Sequence, residues 1–553
     1  MQVRILGFLV VFLLISLPLM AQEDWENDGE IEDVEIEIIK DLEITLPRAN
    51  RNFDKIAPVN IGDGGDEVTY YFNTINFTLP ALDLKMRPLR IKDQPISKLY
   101  GNYVKAGFGN YTTPYFEGFF NSKRNNQYAY GAHVNYLNSK TGPVDDENSG
   151  SGNFGVDLFG KAFGKIATLS GELNYDRDKF HFYGYDDGVE VGADSIRQIY
   201  NTVRMATSIS NTDKSSAVGY NLGVSYQNTS DDFEAKEGIF GADLSTSYSF
   251  SDDASVSLKA EYNLISREDE LLNTTRNLLK LKPLVLFEVS GINIEAGFNA
   301  IYEDDTLGGA DELHFFPLAK ASYDLSDYLK VYAGISGDIQ KQTYNSLVAA
   351  NPYLQSNQQV FHNHKTFDFY AGLEGKVTSK IGFGAGFSLA NYQNLHYFIN
   401  DPTDQSRFVV AYDPENTAVA NVFGEISVTN DKLRATLRGD YFGYDVNESI
   451  GDEAWHRPNY QFSLLSTYNL YDKLLLGADF YAFGGINAID FNNGGETVTL
   501  DPGFDLNLKA DYLISSKVSA FVQFNNIFSQ SYEQFYRYPS RQLQFMAGVT
   551  YSF

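Results

Sequence analysis

The sequence predicts an all-β protein, a transmembrane antiparallel up-and-down β-barrel of about 22 strands over residues 99–553, preceded by an extended arm over residues 22–98. Three observations predict this fold. Apolar and polar residues alternate along the chain after residue 99, the connections between these segments alternate in length, and the chain ends on an aromatic residue within a strand-like segment.

The alternation has the period of two that is typical of a β-strand with two different faces. Residues 504–512, FDLNLKADY, carry hydrophobic side chains at even positions and Asp, Asn or Lys at odd ones. Residues 256–264 follow the same rule, and residues 433–441 alternate in the same way with their hydrophobic residues at odd positions. We expect the apolar face to contact lipid and the polar face to line the lumen. That inner face does not indicate a particular substrate. It carries charges of both signs, on Lys259, Glu261, Arg434, Arg438, Asp440, Lys509 and Asp511.

The connections distinguish a barrel from a soluble β-sandwich, whose two sheets share one core. Short turns such as GKI, TNDK, LYDK and ISSK alternate with long loops, the last of which are residues 391–416, 444–457, 484–502 and 529–541. Backbone groups in lipid need partners, so a membrane sheet must close on itself. The predicted strands begin near residues 99, 113, 126, 153, 166, 196, 215, 236, 254, 273, 290, 312, 327, 366, 380, 417, 432, 458, 473, 503, 516 and 542.

The last residues, RQLQFMAGVTYSF, predict a final strand whose odd-numbered face lies in lipid. Its partner is expected to be the first barrel strand, because a closed sheet leaves no free edge. We interpret Tyr551 and Phe553 as the C-terminal signal that the barrel-assembly machinery needs for insertion.

Composition and the first residues indicate the compartment. The chain has no cysteine, which excludes disulfides, thiolate metal sites and a lipoprotein anchor. The net charge of −29 disfavours nucleic acid as a partner. Arg4, an apolar run over residues 5–17 and Ala21 predict a signal peptide over residues 1–21, the alternative being a single anchoring helix. We therefore expect Sec export and a place in the outer membrane of a Gram-negative cell, among lipid and lipopolysaccharide.

Residues 22–98 differ from the rest of the chain. Their first part is acidic, and their later part, residues 46–91, has enough apolar residues to pack against a lumen wall. Two interpretations stay open: a reduced plug inside the barrel, or a docking tail for periplasmic or outer-membrane protein partners.

No arrangement of residues predicts catalysis or a cofactor, and the chain is not expected to be an enzyme. His362 and His364 form a His-x-His pair in the longest loop, which could bind zinc or copper. A solvated loop is favoured for them, because neither cysteine nor carboxylate accompanies them in that stretch, so no metal site is predicted. Acidic groups in the long loops suit calcium bridges to lipopolysaccharide, but a solvated acidic surface is favoured.

The final segment also resembles the barrel of TonB-dependent receptors. Asn526, Ile527 and Phe528 match the Asn-Leu-Phe-like end of that family's penultimate strand, and residues 538–541, YPSR, match the Tyr-Pro-x-Arg-like segment before its last strand. The stretch KLYGNYVKAGFGNYTTPYFEGFF resembles the family's first barrel strands. The signal-peptide end and the Tyr- and Asn-rich strands are similar to those of Bacteroidota proteins. The resemblance implies a barrel over residues 99–553 and transport of a solute across the outer membrane.

The chain departs from that family before the barrel. Such receptors carry a plug domain of well over a hundred residues, whereas here only residues 22–98 precede the barrel and no plug motif is found. The stretch VEIEIIK resembles the family's energy-coupling box. Two functions therefore stay open: transport of a solute, and a structural or accessory barrel in an insertion or secretion machine. A wide lumen must be closed by the arm, by inward-folded loops at 339–365 and 391–416, or by another protein.

Overall fold

The computed structural model describes residues 100–213, 216–251, 253–304, 312–447, 450–451 and 453–553. The predicted signal peptide and the predicted arm lie outside these described residues. Among the residues described, no helix has the length and apolar character needed to cross a membrane.

The described residues form one closed antiparallel sheet of 22 strands. Each strand pairs with the next barrel strand along the chain, as in an up-and-down barrel. The barrel strands are β1 (Asn102–Gly109), β2 (Thr113–Asn121), β3 (Tyr128–Ser139), β4 (Ser151–Phe163), β5 (Ala167–His181), β6 (Arg197–Asn211), β7 (Val218–Asp231), β8 (Lys236–Ser251), β9 (Ala254–Glu268), β10 (Asn273–Val289), β11 (Ile292–Glu303), β12 (Glu312–Ser326), β13 (Leu329–Gln340), β14 (Asn363–Thr378), β15 (Ile381–Gln393), β18 (Thr417–Thr429), β19 (Leu433–Asp445), β20 (Tyr460–Leu470), β21 (Leu474–Gly484), β24 (Gly503–Leu513), β25 (Val518–Asn525) and β26 (Gln544–Ser552).

The remaining elements lie in the long loops at one end of the barrel. Two small hairpins, β16 (Leu395–Asn400) with β17 (Phe408–Asp413) and β22 (Asn487–Asp490) with β23 (Glu496–Thr499), form separate two-stranded sheets. One α-helix of the described residues, α1 (Tyr344–Ala350), lies in the connection between β13 and β14. Long loops mark the extracellular end of an outer-membrane barrel, and the short turns mark the periplasmic end.

Closure of the barrel joins its first and last strands, as the final residues predict. Asn102 and Phe553 exchange backbone hydrogen bonds of 3.2 and 3.0 Å. Gly107 lies opposite Gly548 in this pairing, and a Cβ at either position would fall within 2.8 Å of the Phe521 ring. The two glycines therefore leave room for an aromatic side chain on the inner face at the closing seam.

The two faces of the sheet are those that the alternation predicts. Large apolar side chains of the last strand, including Phe545, Val549, Tyr551 and Phe553, are exposed on the outer surface. Charged residues on the opposite face pair with one another, as Arg438 does with Glu425 and Asp440. Since the sheet closes on itself and the outer band is apolar, this is the architecture of an outer-membrane barrel.

Several predicted loops are shorter than expected because the strands continue beyond the membrane band. Residues 228–238 read as a loop in sequence, yet β7 and β8 leave only residues 232–235 between them. The Asp231 carboxylate accepts hydrogen bonds of 2.9 Å from the backbone N–H groups of Phe233 and Ala235 and so closes a tight turn. Acidic and amide residues, which are common in loops, here end long strands instead.

Deleting Phe553 or replacing it with Asp is expected to impair insertion, because the last strand carries the predicted assembly signal and its outer face contacts lipid. The measurement is the amount of folded, heat-modifiable protein in the outer membrane. Phe528→Asp changes an aromatic outside the last strand that is at least as exposed as Phe553, and it is the matched control. Normal accumulation of both variants would contradict the prediction.

Leu437→Arg should destabilise the barrel by about 2–4 kcal/mol, because it places a guanidinium on the lipid face near the middle of β19. Leu437 lies opposite Leu464 and Ile426 on the neighbouring strands. Arg438→Leu removes an inward ion pair instead and should cost about 1 kcal/mol or less. Refolding titrations in detergent or lipid compare the two, and equal losses would mean that the two faces are assigned wrongly.

Candidate functional site: a loop cap across the barrel mouth

The long loops fold together over the extracellular mouth of the barrel, and we call this assembly the loop cap. It comprises the described residues of five connections: 341–362, 394–416, 446–459, 485–502 and 526–543. Its centre is a cluster of buried apolar and aromatic side chains contributed by strands, helix and loops that are far apart in sequence.

Helix α1 anchors the first of these loops to the barrel wall. Thr343 and Ser346 form a reciprocal capping box at its N-terminus. The buried Glu237 carboxylate of β8 accepts hydrogen bonds of 2.9 and 3.3 Å from the backbone N–H groups of Tyr344 and Asn345. A carboxylate at this end of a helix satisfies free N–H groups and complements the helix dipole. The strand thus fixes both the position and the direction of α1.

Two buried arginines of the wall hold the backbone before and after α1. Arg276 of β10 donates hydrogen bonds to the carbonyls of Val360, at 2.8 Å, and Gln342, at 3.2 Å. Arg267 of β9 donates to the carbonyl of Gln358, and its guanidinium lies 4.6 Å from the centre of the Tyr344 ring. Guanidinium groups suit this task because several fixed donors bind several carbonyls at once.

An aromatic stack joins this loop to the last loop of the barrel. The rings of Tyr353 and Tyr538 stack with centroids 3.6 Å apart, and the Tyr538 hydroxyl donates to the carbonyl of Ser406. Phe408 and Phe535 pack beside them. Burial raises the pKa of Tyr353 and Tyr538 well above the usual value, so both hydroxyls remain protonated donors.

The segment that carries the resemblance to receptor barrels organises the last loop. Asn526 is buried, and its side-chain amide donates to the carbonyls of Gln530, at 2.7 Å, and Arg541, at 2.8 Å. The Arg541 guanidinium reaches Ser151 of β4 at 3.0 Å. These residues fix the base of the loop, so that Tyr538 projects into the centre of the cap.

His456 joins three further segments through its ring and backbone. Its Nδ1–H donates to the carbonyl of Phe398 at 2.7 Å, and its Nε2 accepts from the backbone N–H of Tyr536 at 3.3 Å. Its own backbone N–H donates to Asn487 at 3.0 Å. The neutral imidazole is therefore satisfied on both nitrogens, and burial lowers the pKa of His456 to about 4.

These contacts form a continuous path across the mouth. Tyr344 of α1 donates to Asp231 of β7 at 2.7 Å. The α1 loop continues the path through Gln355, whose N–H donates to the carbonyl of Phe408 at 2.8 Å. Phe408 belongs to β17, which pairs with β16, and the carbonyl of Phe398 in β16 accepts a hydrogen bond from His456, just before β20. Since β7 and β20 stand half the ring apart among the 22 barrel strands, the cap spans the full width of the barrel.

The structure places the two histidines of the predicted His-x-His pair in different surroundings. Both are buried, so the expectation of a solvated loop was wrong. His362 accepts a hydrogen bond of 3.0 Å from the backbone N–H of Gln342 at Nδ1. His364 is the second residue of β14 and lies beside Glu303 and His314, whose proximity no local sequence pattern indicates.

The expectation of a solvated acidic surface was also wrong for part of the acidic loops. Asp269 and Glu303 are buried. Asp269 pairs with Arg267 at 2.8 Å and accepts a hydrogen bond of 2.9 Å from the backbone N–H of Asn357. In contrast, Lys140 and Glu147 form an exposed pair. Acidic residues close to the barrel rim therefore hold the cap, whereas those farther out face solvent.

Sequence reasoning missed the residues that anchor the cap. Glu237, Arg267 and Arg276 stand among other polar residues in stretches that read as long loops or strand ends, and nothing around them sets them apart. His456 stands alone in its loop, without a motif around it. The sequence gives only an indirect signal of these anchors. Charged residues are present at the long-loop ends of the strands, although a water-filled lumen does not by itself require them to form pairs there.

Lowering the pH from 7 to 4.5 is expected to loosen the loop cap. His456 has a pKa of about 4 when the cap is closed and an ordinary value of 6.5 when it is open. Its contribution is therefore complete above pH 6.5 and is lost progressively as the pH falls from 6.5 to 4, with a total of about 3 kcal/mol. Hydrogen exchange of the cap amides measures the effect.

His456→Asn is the matched variant, because φ of 55° at this position suits asparagine. The variant should have faster exchange at pH 7 and a flatter dependence on pH. An unchanged pH dependence would show that another group is responsible.

Comparison with known proteins shows a relationship in structure only. No protein-family model and no curated protein sequence matches the chain. The structure is similar to that of the FrpB iron transporter from Neisseria meningitidis (F3-3 variant), with a TM-score of 0.66, 9% identity, and coverage of 83% of this chain and 82% of that one.

Two other solved structures give the same picture. The ferric-catecholate import receptor Fiu from E. coli K12 has a TM-score of 0.63 at 10% identity, covering 83% of this chain and 82% of its own. The ferripyoverdine receptor of the Pseudomonas aeruginosa outer membrane, bound to ferripyoverdine, has a TM-score of 0.61 at 14% identity, covering 83% and 72%. The chain therefore has the barrel fold of TonB-dependent outer-membrane receptors, as the resemblance in its last residues implied.

Proposed function

We propose that this protein transports a bulky solute across the outer membrane, and that the loop cap is its extracellular gate. The observation that carries the proposal is the continuous path of cap contacts from β7 to β20. A cap assembled from separate loops, each anchored to its own part of the wall, closes a wide pore and opens without breaking the barrel.

The composition of the inner wall supports passage of a polar solute. Acidic and basic side chains form ion pairs on it, including Lys509 with Asp479 at 3.9 Å and Lys280 with Asp338 at 3.0 Å. Similar barrels have names that describe iron or ferric-chelate import. A bulky chelate is accordingly the solute class that we infer for this chain.

The alternative is an accessory barrel that docks partner proteins through residues 22–98 and has no transport of its own. It differs from the transport proposal in what removal of the arm does. Because the described barrel closes between β1 and β26 without the arm, residues 99–553 are expected to insert alone. A reduced plug predicts that the truncated protein admits larger solutes, whereas a docking tail predicts loss of copurifying proteins at unchanged permeability.

A reversible lock tests the gate directly. The side chains of Thr202 on β6 and Asn345 on α1 meet at 3.2 Å, and cysteines at both positions are the proposed lock, with disulfide formation verified by the loss of free thiols on oxidation. The chain has no other cysteine. In the barrel lacking residues 22–98, reduced Thr202→Cys/Asn345→Cys protein should show openings in planar bilayers that oxidation abolishes and reductant restores.

Thr202→Cys alone is the control and should not respond to oxidation. Equal conductance of the oxidised and reduced double variant would overturn the gate. A truncation that alters neither permeability nor copurification would overturn both interpretations of the arm and leave the cap as the closing element.

A further inference from the structure

Three residues at the long-loop end of the barrel bring together two imidazoles and a carboxylate. The Nε2 atoms of His364 and His314 lie 2.6 and 3.1 Å from Oε1 of Glu303. All three ligand atoms lie within 4.8 Å of one another. Among the described residues, no other group of three or more His, Asp or Glu side chains is arranged in this way. Imidazole nitrogen with carboxylate oxygen is a donor set for zinc and neighbouring divalent transition metals.

The surroundings hold these side chains in place. Glu303 and His364 are buried and His314 is half-buried. The His314 ring lies parallel to that of Phe316, which belongs to a buried apolar cluster with Leu278, Ile301 and Ile339. A dry wall on one side raises the free energy of a buried carboxylate and favours a cation beside it.

The strands reach this point because the β13–β14 hairpin leans inward. β12 and β13 pair from Ser326↔Leu329 up to Ala319↔Ile335, and β13 has a register shift between Ser336 and Asp338. Beyond it, β13 lies over the inner face of β11, where Asn299 donates to the carbonyl of Gly337. A bulge that bends a strand in this way also redirects the residues that follow it.

We propose that Glu303, His314 and His364 form a binding site for a divalent transition-metal ion that ties the base of the loop cap to the barrel wall. Glu303 and His314 belong to wall strands β11 and β12, whereas His364 follows directly after the loop that carries α1. Bound zinc holds such ligands roughly 3.4 Å apart, so the site accepts the ion with shifts of under about 1 Å. The three protein ligands leave a fourth position for water or for the Glu312 carboxylate, whose Oε2 lies 3.4 Å from Nε2 of His314.

The site does not depend on the transport proposal, because it is tested by binding. The full chain is prepared without a histidine tag, treated with chelator and titrated with Zn²⁺ by calorimetry, and with Co²⁺ by visible absorption. We expect one tight site per chain, and at least about a tenfold loss of affinity in either His314→Gln or His364→Gln.

His133→Gln is the matched control. His133 lies between Glu117 and Asp157 at 3.4 and 2.8 Å but has no second histidine beside it, so its replacement should leave Zn²⁺ affinity unchanged. Heat-modifiable migration verifies that each variant is folded. Zn²⁺ should also slow proteolysis within residues 341–362 of the wild-type chain, but not of His364→Gln. Absence of a stoichiometric site, or equal affinity of the wild-type and both ligand variants, would overturn the proposal. The three side chains would then only be hydrogen-bonded to one another.

Discussion

Arg276→Met should open the loop cap more easily, by about 3–5 kcal/mol, which is the usual cost of removing one partner from a buried ion pair. The guanidinium lies 3.8 Å from the buried Glu237 carboxylate and donates to two carbonyls of the α1 loop. Methionine fills similar volume but supplies no donor. The expected result is faster hydrogen exchange across residues 341–362, with little change in the barrel strands.

Arg204→Met is the control for this experiment. Arg204 lies on β6 and binds Gln227 at 2.9 and 3.1 Å, so its loss removes hydrogen bonds without stranding a buried carboxylate. We expect an effect of about 1 kcal/mol. The double variant Glu237→Gln/Arg276→Met should lose less than the sum of its single changes, since the two side chains interact. Additive losses would show that the pair does not anchor the cap.

Tyr538→Ala should weaken the centre of the cap by about 3–5 kcal/mol, because a buried aromatic ring is removed and a cavity remains. The ring stacks on Tyr353 and also contacts Tyr183 and Phe408. Tyr538→Phe keeps the ring and removes only the hydrogen bond to Ser406, so it should cost about 1 kcal/mol. Hydrogen exchange and bilayer conductance both measure the loss, and conductance should rise for the alanine variant.

Tyr512→Ala removes an aromatic ring of the same size from the lipid-facing surface of β24, where its side chain is exposed. It should leave exchange and conductance of the cap unchanged. If Tyr538→Ala behaves like Tyr538→Phe, the stack contributes nothing to closure, and the path across the mouth must be held by the arginines and His456 instead.

The barrel itself was predictable from the sequence. The predicted strand starts agree with those of the structure within about three residues, from β1 at Asn102 to β26 at Gln544. Strand number, lipid face and the closing pair of strands were also confirmed. These features follow from a local period of two, which lipid on one side and water on the other impose on every strand.

The site was predictable only in outline. The loops at 339–365 and 391–416 were expected as one means of closing the lumen, and they do lie in the cap. Their partners were not foreseen, because a loop without regular periodicity gives no signal of what it packs against. Arg276, Glu237 and His456 look like any polar residue in sequence, and only burial distinguishes them.

The sequence by itself determined the ring: how many strands it has, which side faces lipid, and where it closes. Only the tertiary structure decided what covers the mouth and which side chains meet there. His364 was visible as half of a His-x-His pair, yet its neighbours Glu303 and His314 come from other strands and His362 is not among them. The physical reason is that alternation is enforced residue by residue, whereas the cap and its histidine cluster depend on contacts between segments that are far apart in sequence and meet only in the folded barrel.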